Sequence, residues 1–297
     1  MITMVLLGII QKFKARHGSR SLRTSKFTVE ITLEGEINNG FVGGVDYNKP
    51  KKDLGKVLSS LEDQYLDDIV GRATNENIAQ YIFYQLRKIS LHSLKVSEGE
   101  EQHVKIFPSD INFEDYPAQL HFNKGQSLLL REKPELAITE LDQAIISREE
   151  FAEAYNLRGR CIKYLEGYAS ALDDFLKAVE LNADFGEAWR NLGNAYLYLK
   201  RFAEMVPAFD RSVELIPNSA LAVNNRGHGY FAIEEYELAL IDHEKAVELD
   251  QNYAEAHYDK GMALKRLGRT RYAEESFHES RRLKESGEDT FHKVKMY

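Results

Sequence analysis

The chain has 297 residues, 47 Asp+Glu against 39 Lys+Arg for a formal net charge of −8, and 43% hydrophobic side chains, which is enough for two domains with cores of their own. Residues 1–117 carry 15 basic against 16 acidic side chains and the remainder 24 against 31, so nothing points to nucleic acid or an anionic membrane. Cys161 is the single cysteine, which excludes an internal disulfide and fits a reducing, cytoplasmic setting.

The opening MITMVLLGII has no positive charge ahead of its apolar run and no small-residue cleavage site behind it; Lys12, Lys14, Arg16 and Arg20 come after. It is too short to span a membrane and reads as the start of a strand over residues 2–16. Residues 27–35 (FTVEITLEG) alternate strictly and predict a second strand. Helical spacing follows over 50–69 through Leu54, Val57, Leu58, Leu61 and Leu66. A further helix starts near Thr74, where Thr74 and Glu76 suggest a capping box, and runs through Ile78, Ile82 and Leu86. SLKVSE and HVKIF predict two more strands. This order implies an α+β unit over 1–107, an antiparallel sheet with helices on one face.

Several strings in this unit follow a known pattern: Phe13-Lys14-Ala15-Arg16-His17, Gly40-Phe41-Val42 with Val45-Asp46-Tyr47, Leu61 to Asp67, Ala73 to Ala79, and Val96-Ser97-Glu98-Gly99. In that order they resemble the 6-pyruvoyl- and 6-carboxytetrahydropterin synthases, whose T-fold the unit is expected to share. The resemblance implies three zinc-binding His, a catalytic Cys, an Asp-His relay and a carboxylate that holds a pterin edge. Of the three His only His17 stands here, since the other two places align with Arg23 and Ser25, and a guanidinium cannot ligate a cation. The loop bearing the catalytic Cys is missing, and Glu62 and Asp63 take the relay positions. The unit is therefore expected to be a pseudoenzyme without cofactor, retained as an oligomerising or ligand-binding platform. Glu98 matches the pterin carboxylate and is the one candidate ligand contact, beside an acidic run with Glu100 and Glu101.

Residues 108–117 (PSDINFEDYP) read as a linker. Beyond them Gly125, Gly159, Gly193, Gly227 and Gly261 stand 34 residues apart. About twelve residues past each comes Ala137, Ala171, Met205, Ala239 or Ala273, then Leu141, Phe175, Phe209, His243 or Phe277, then Ala144, Ala178, Ser212, Ala246 or Ser280. Small residues let two helices approach and the bulky one fills the space between them. A period of 34 means stacked helix pairs, and the pattern resembles the tetratricopeptide repeat in five copies, 118–151, 152–185, 186–219, 220–253 and 254–286, with a tail over 287–297. Too little chain follows for a solvating helix, so the face carrying Leu264, Leu267 and Phe277 is expected to be partly exposed or covered by another subunit.

In such repeats the first helix of each pair lines a concave groove. The groove positions collect Asn123, Asn156 and Arg160, Arg190, Asn191 and Asn194, Asn224 and Asn225, and Asp259. An amide side chain pairs with the N–H and C=O of any extended peptide. Arg190, Asn194 and Asn225 also match three places of a carboxylate clamp, but Glu255 and Asp259 occupy the two that need positive charge, which favours an internal or basic segment over a free C-terminus. His228, His243 and His257 sit at unrelated helical positions, so no metal site is expected. The predicted function is a non-enzymatic scaffold binding a partner's peptide segment, with a synthase-type enzyme or a pterin or purine sensor as alternatives.

Overall fold

The computed structural model describes residues 3–17, 23–38, 41–43, 48–62, 64, 66–70, 74–88, 91–98 and 102–290. Gly40, Val45, Asp46, Tyr47, Asp63, Ala73, Gly99, Glu100, Glu101 and residues 291–297 of the expected tail lie outside these. The chain divides into two compact units, Met1–Glu149 and Glu150–Tyr297.

The first unit holds β1 (Thr3–His17), β2 (Arg23–Asn38), β3 (Phe41–Gly43), α1 (Asn48–Leu61), α2 (Leu66–Val70), α3 (Asn75–Gln85), β4 (Leu91–Glu98) and β5 (Gln102–Ile106). The sheet is antiparallel in the order β1-β2-β4-β5, with β3 pairing the end of β2. Alternation sets its faces: Phe13, Ala15, Phe27, Val29 and Ile31 are buried, and between the first two Lys14 is exposed. Phe13 and Phe27 are register partners whose rings stack at 5.1 Å. Leu54, Leu58 and Leu61 of α1 and Ile78 and Ile82 of α3 join the same core. Thr74 caps α3, its hydroxyl accepting from Asn77 N at 3.1 Å; Glu76 instead accepts from Gln80 at 3.4 Å. The helix expected over 50–69 is broken, because α1 ends at Leu61 and α2 restarts at Leu66.

The segment 108–117 opens with a 3₁₀ turn over Pro108–Asp110, whose Asp110 carboxylate accepts from Phe107 N at 2.7 Å. Ile111 and Tyr116 are buried in the core of the first unit, and the Tyr116 ring packs tilted against Tyr84 at 4.7 Å. Polar composition and flanking prolines suggest a linker, yet three apolar side chains, Ile111, Phe113 and Tyr116, pack it onto the first unit's core. The helix pair α4 (Tyr116–Leu130) and α5 (Pro134–Ser147) follows, and α4 packs on α2.

The second unit is a run of four helix pairs: α6 (Ala152–Glu166) with α7 (Tyr168–Leu181), α8 (Gly186–Tyr198) with α9 (Phe202–Leu215), α10 (Ala220–Ala232) with α11 (Tyr236–Leu249), and α12 (Ala254–Arg266) with α13 (Thr270–Ser286). Each ladder glycine faces the side chain 16 residues on, so that a Cβ built on Gly193 would stand 2.5 Å from the Phe209 ring and one on Gly261 2.5 Å from Phe277. That contact requires glycine and sets how closely the two helices approach. Within the unit, Leu264 is buried against Leu240, while Leu267 and Phe277 are half-buried. The expected exposure of this face is thus corrected for Leu264. The chain also continues past Ser286 in a left-handed turn at Gly287 that brings Asp289 Oδ1 to accept from Ala254 N at 3.3 Å.

Candidate functional site

In the first unit the strand register decides what the zinc positions have become. His17 pairs with Arg23 across β1 and β2, Ala15 pairs with Ser25, and Phe27 pairs with Glu98 of β4. Ser25 Oγ donates to Glu98 Oε1 at 2.5 Å, so the hydroxyl is used on the carboxylate. One imidazole, one guanidinium and one such hydroxyl do not make a donor set for zinc. Cys161 lies in α6, where burial pushes its thiol up to about 11 against the lowering effect of Arg160 and Lys163. At neutral pH it is a thiol and a poor nucleophile. Glu62, at the relay position, accepts from Lys14 N at 3.1 Å.

In the second unit the first helices of successive pairs, α6, α8, α10 and α12, lie side by side. Three of the predicted groove amides are tied to side chains of neighbouring helices. Asn191 Nδ2 donates to Asn156 Oδ1 at 2.8 Å, both buried. Asn224 Nδ2 donates to Asp259 Oδ2 at 2.9 Å and its Oδ1 lies 2.8 Å from His243 Nδ1. The two bonds within the first helices link residues 35 apart, one place beyond the period, and that offset of polar residues is the sequence signal that marks them as ties between repeats. Asn225 is buried and Asn194 half-buried, and neither makes a side-chain hydrogen bond among the described residues. Asn123 belongs to α4 of the first unit, where its Oδ1 accepts from Gln119 at 2.9 Å.

Charge separates along these helices. Arg160 and Lys163 of α6 and Arg190 of α8 stand close enough to repel one another, and none of the three forms an ion pair among the described residues. Burial, then Arg160 and Arg190, pull the Lys163 ammonium below its ordinary range; burial does the same to Arg190, opposed by Glu187. Two pairs further on, α12 presents Glu255 and Asp259. His228 Nε2 lies 2.6 Å from Asp259 Oδ2. Burial works against charge on both groups, yet their bond outweighs it, holding His228 above and Asp259 below its ordinary pKa. A cavity of about 320 Å³ opens beside them, walled by Leu197, Phe231, Tyr258 and Met262 together with His243.

A family model for 6-pyruvoyl tetrahydropterin synthase matches residues 12–109, and one for the tetratricopeptide repeat matches residues 163–220. The dihydroneopterin monophosphate aldolase of Pyrococcus furiosus is 32% identical over 102 residues, which are 33% of this chain and 82% of that protein. The chain belongs to the 6-pyruvoyl tetrahydropterin synthase family. That family accounts for the sheet and helices of residues 12–109, to which this chain adds tetratricopeptide repeats. A structure of MamA residues 41 to the end from Desulfovibrio magneticus RS-1 superposes with a TM-score of 0.51 at 26% identity, covering 57% of this chain and 96% of that one. PilF of Pseudomonas aeruginosa superposes at 0.53 and 17% identity over 57% of this chain and 77% of its own, a likeness of fold alone. Among the described residues no helix is long and apolar enough to cross a membrane.

Proposed function

We propose that this member of the 6-pyruvoyl tetrahydropterin synthase family is a non-catalytic scaffold of a reducing, cytoplasmic setting, whose repeats hold an extended segment of a partner protein. The observation that carries this is the charge polarity of the second unit. Arg160, Lys163 and Arg190 are partly buried cations with no ion-pair partner among the described residues, while Glu255 and Asp259 gather negative charge on α12. Burying like charges together without counter-charge is costly. A bound segment carrying acidic and basic residues at matching places relieves that cost at both ends. Arg160, Arg190, Asn194 and Asn225 are the contacts with the segment's acidic part, and Asp259 receives its basic part. Asn156, Asn191 and Asn224 act behind them, fixing the spacing of the repeats.

The test is an array of immobilised 15-residue peptides of varied charge order, probed with the full chain. The wild type is expected to retain peptides that join an acidic cluster to a basic one, and Arg160→Glu with Arg190→Glu to lose about 10-fold or more in affinity, since several charge-assisted bonds of about 1.5–3 kcal/mol go together. Equal retention of all peptides by both proteins overturns the reading.

The synthase-like unit serves in this proposal as a catalytically inactive platform, through which copies of the chain assemble, because its residues do not fit zinc. The alternative as a pterin or purine sensor rests on Glu98, a half-buried strand carboxylate whose Oε1 is taken by Ser25. A thermal-shift screen with neopterin and guanine derivatives separates them. A ligand at 100 times its Kd stabilises by about 2.7 kcal/mol. We expect no shift with either class; a shift abolished by Glu98→Ala would make the unit a sensor.

A further inference from the structure

Four of the ladder glycines face an apolar side chain from the second helix of their pair: Leu141, Phe175, Phe209 and Phe277. Gly227 faces His243 instead. That imidazole is fully buried, and its Nδ1 lies 2.8 Å from Asn224 Oδ1. The Asn224 amide must present its oxygen to the ring, because its Nδ2 is occupied in donating to Asp259. An amide oxygen only accepts, so Nδ1 carries the hydrogen and Nε2 is left as a bare lone pair. Nε2 has no partner among the described residues.

The cavity that His243 lines also contains His228 and Asp259. Although His228 and His243 fall on different helices at unrelated positions in the repeat, packing of α10 on α11 brings their ring centroids to 5.6 Å. Glu255 precedes Asp259 by one helical turn and shares its face of α12. The ligand atoms of His228, Glu255 and Asp259 all lie within 4.8 Å of one another. Asn224 braces the group from behind by bonding both Asp259 and His243, the arrangement that orients donors around a metal.

We propose that His228, Glu255 and Asp259, with His243 Nε2 as fourth donor from the cavity wall, form a binding site for a divalent transition metal of the Zn²⁺ class. Two imidazole nitrogens and two carboxylates are the donors Zn²⁺ takes, whereas Ca²⁺ and Mg²⁺ ask for oxygen alone. In the metal-free form the close contact of His228 Nε2 with Asp259 Oδ2 holds a hydrogen, which the ion displaces. This site is separate from the family's zinc position at His17, and it shares Asp259 with the peptide contact proposed above, so the ion and the segment's basic part compete for that carboxylate.

The full chain without a polyhistidine tag, stripped of metal by a chelator, is titrated with zinc sulfate in a calorimeter and with Co²⁺ in a visible spectrophotometer. One ion per chain and a Co²⁺ absorption band of low symmetry are expected for the wild type. His243→Phe installs the side chain found at the same place in three sister pairs, so it should fold, and it is expected to weaken Zn²⁺ binding about 10–100-fold. His228→Gln, at a half-buried position, is expected to weaken it at least as much and keeps the test sound if His243→Phe misfolds. His17→Ala should leave binding unchanged. No saturable binding by the wild type, binding undiminished in a folded His243→Phe or in His228→Gln, or binding lost in His17→Ala overturns the assignment.

Discussion

Phe209→Ala is expected to destabilise the repeat unit by about 4 kcal/mol, in the upper part of the range for emptying an aromatic site. Phe209 is fully buried and its ring lies over two glycines, Gly193 of its own pair and Gly229 of the next, where an added Cβ would stand 2.5 and 3.0 Å away. Cavity cost depends on whether neighbours can move in, and neither glycine has a side chain to do so. The ring belongs to one cluster with Leu192, Ala195 and Met205, so its loss loosens two pairs at once. Urea unfolding followed by circular dichroism gives the number. Phe202→Ala on the same helix, where the side chain is 38% exposed, is the control and should cost about 1 kcal/mol or less. A loss under about 2 kcal/mol for Phe209→Ala would mean that the pairs slide together to fill the space.

The same contact shows how much of this molecule its sequence displays. A glycine and a bulky residue 16 apart, recurring every 34, predict the helix pairs, their packing and their number, because close approach of two helices demands those residue types there. Strict alternation in 27–35 likewise predicts β2, whose Phe27, Val29 and Ile31 share the buried face. The break between α1 and α2 was not legible, since Leu61 and Leu66 keep apolar spacing across it and both end fully buried. The seating of 108–117 was hidden for the opposite reason, because Ile111, Phe113 and Tyr116 are outnumbered by polar neighbours that mark a loop. For the candidate groove residues the sequence pattern places side chains on first helices but does not say what they face. Asn156, Asn191 and Asn224 were visible as first-helix amides, but whether an amide faces a peptide or the next repeat depends on tertiary register, which the 35-residue offset encodes only in retrospect. His243 was visible as the odd member of its column, and what it meets needed the packing of α10, α11 and α12.

Asp174→Ala is expected to cost about 3 kcal/mol, and the cost should nearly vanish when Arg158→Leu is added. Arg158 grips Asp174 with both arms of its fork, Nε to Oδ2 at 2.9 Å and Nη2 to Oδ1 at 2.7 Å, and the side chains are 22% and 9% exposed. Removing one partner of a buried pair leaves the other charge without compensation, which costs about 3–5 kcal/mol; the partial exposure of Arg158 places the loss at the low end. The repeats provide the comparison. The spacing of 16 returns as Arg226 with Asp242, bonded at 2.8 Å twice, whereas the pair between them carries Leu192 and Ala208 at the same places, each 2% exposed. One backbone framework therefore accepts either an ion pair or two apolar side chains. If the two solutions are equivalent, Arg158→Leu with Asp174→Ala should return to within about 1 kcal/mol of the wild type, because paired charges and a packed apolar replacement are often close in free energy. Double-mutant analysis of urea unfolding measures the difference. A double variant as unstable as Asp174→Ala would place the loss in packing around Gly159, whose position a Cβ would set 3.1 Å from that of Asp174, and a single loss under about 1 kcal/mol would make the pair no stronger than one on an open surface.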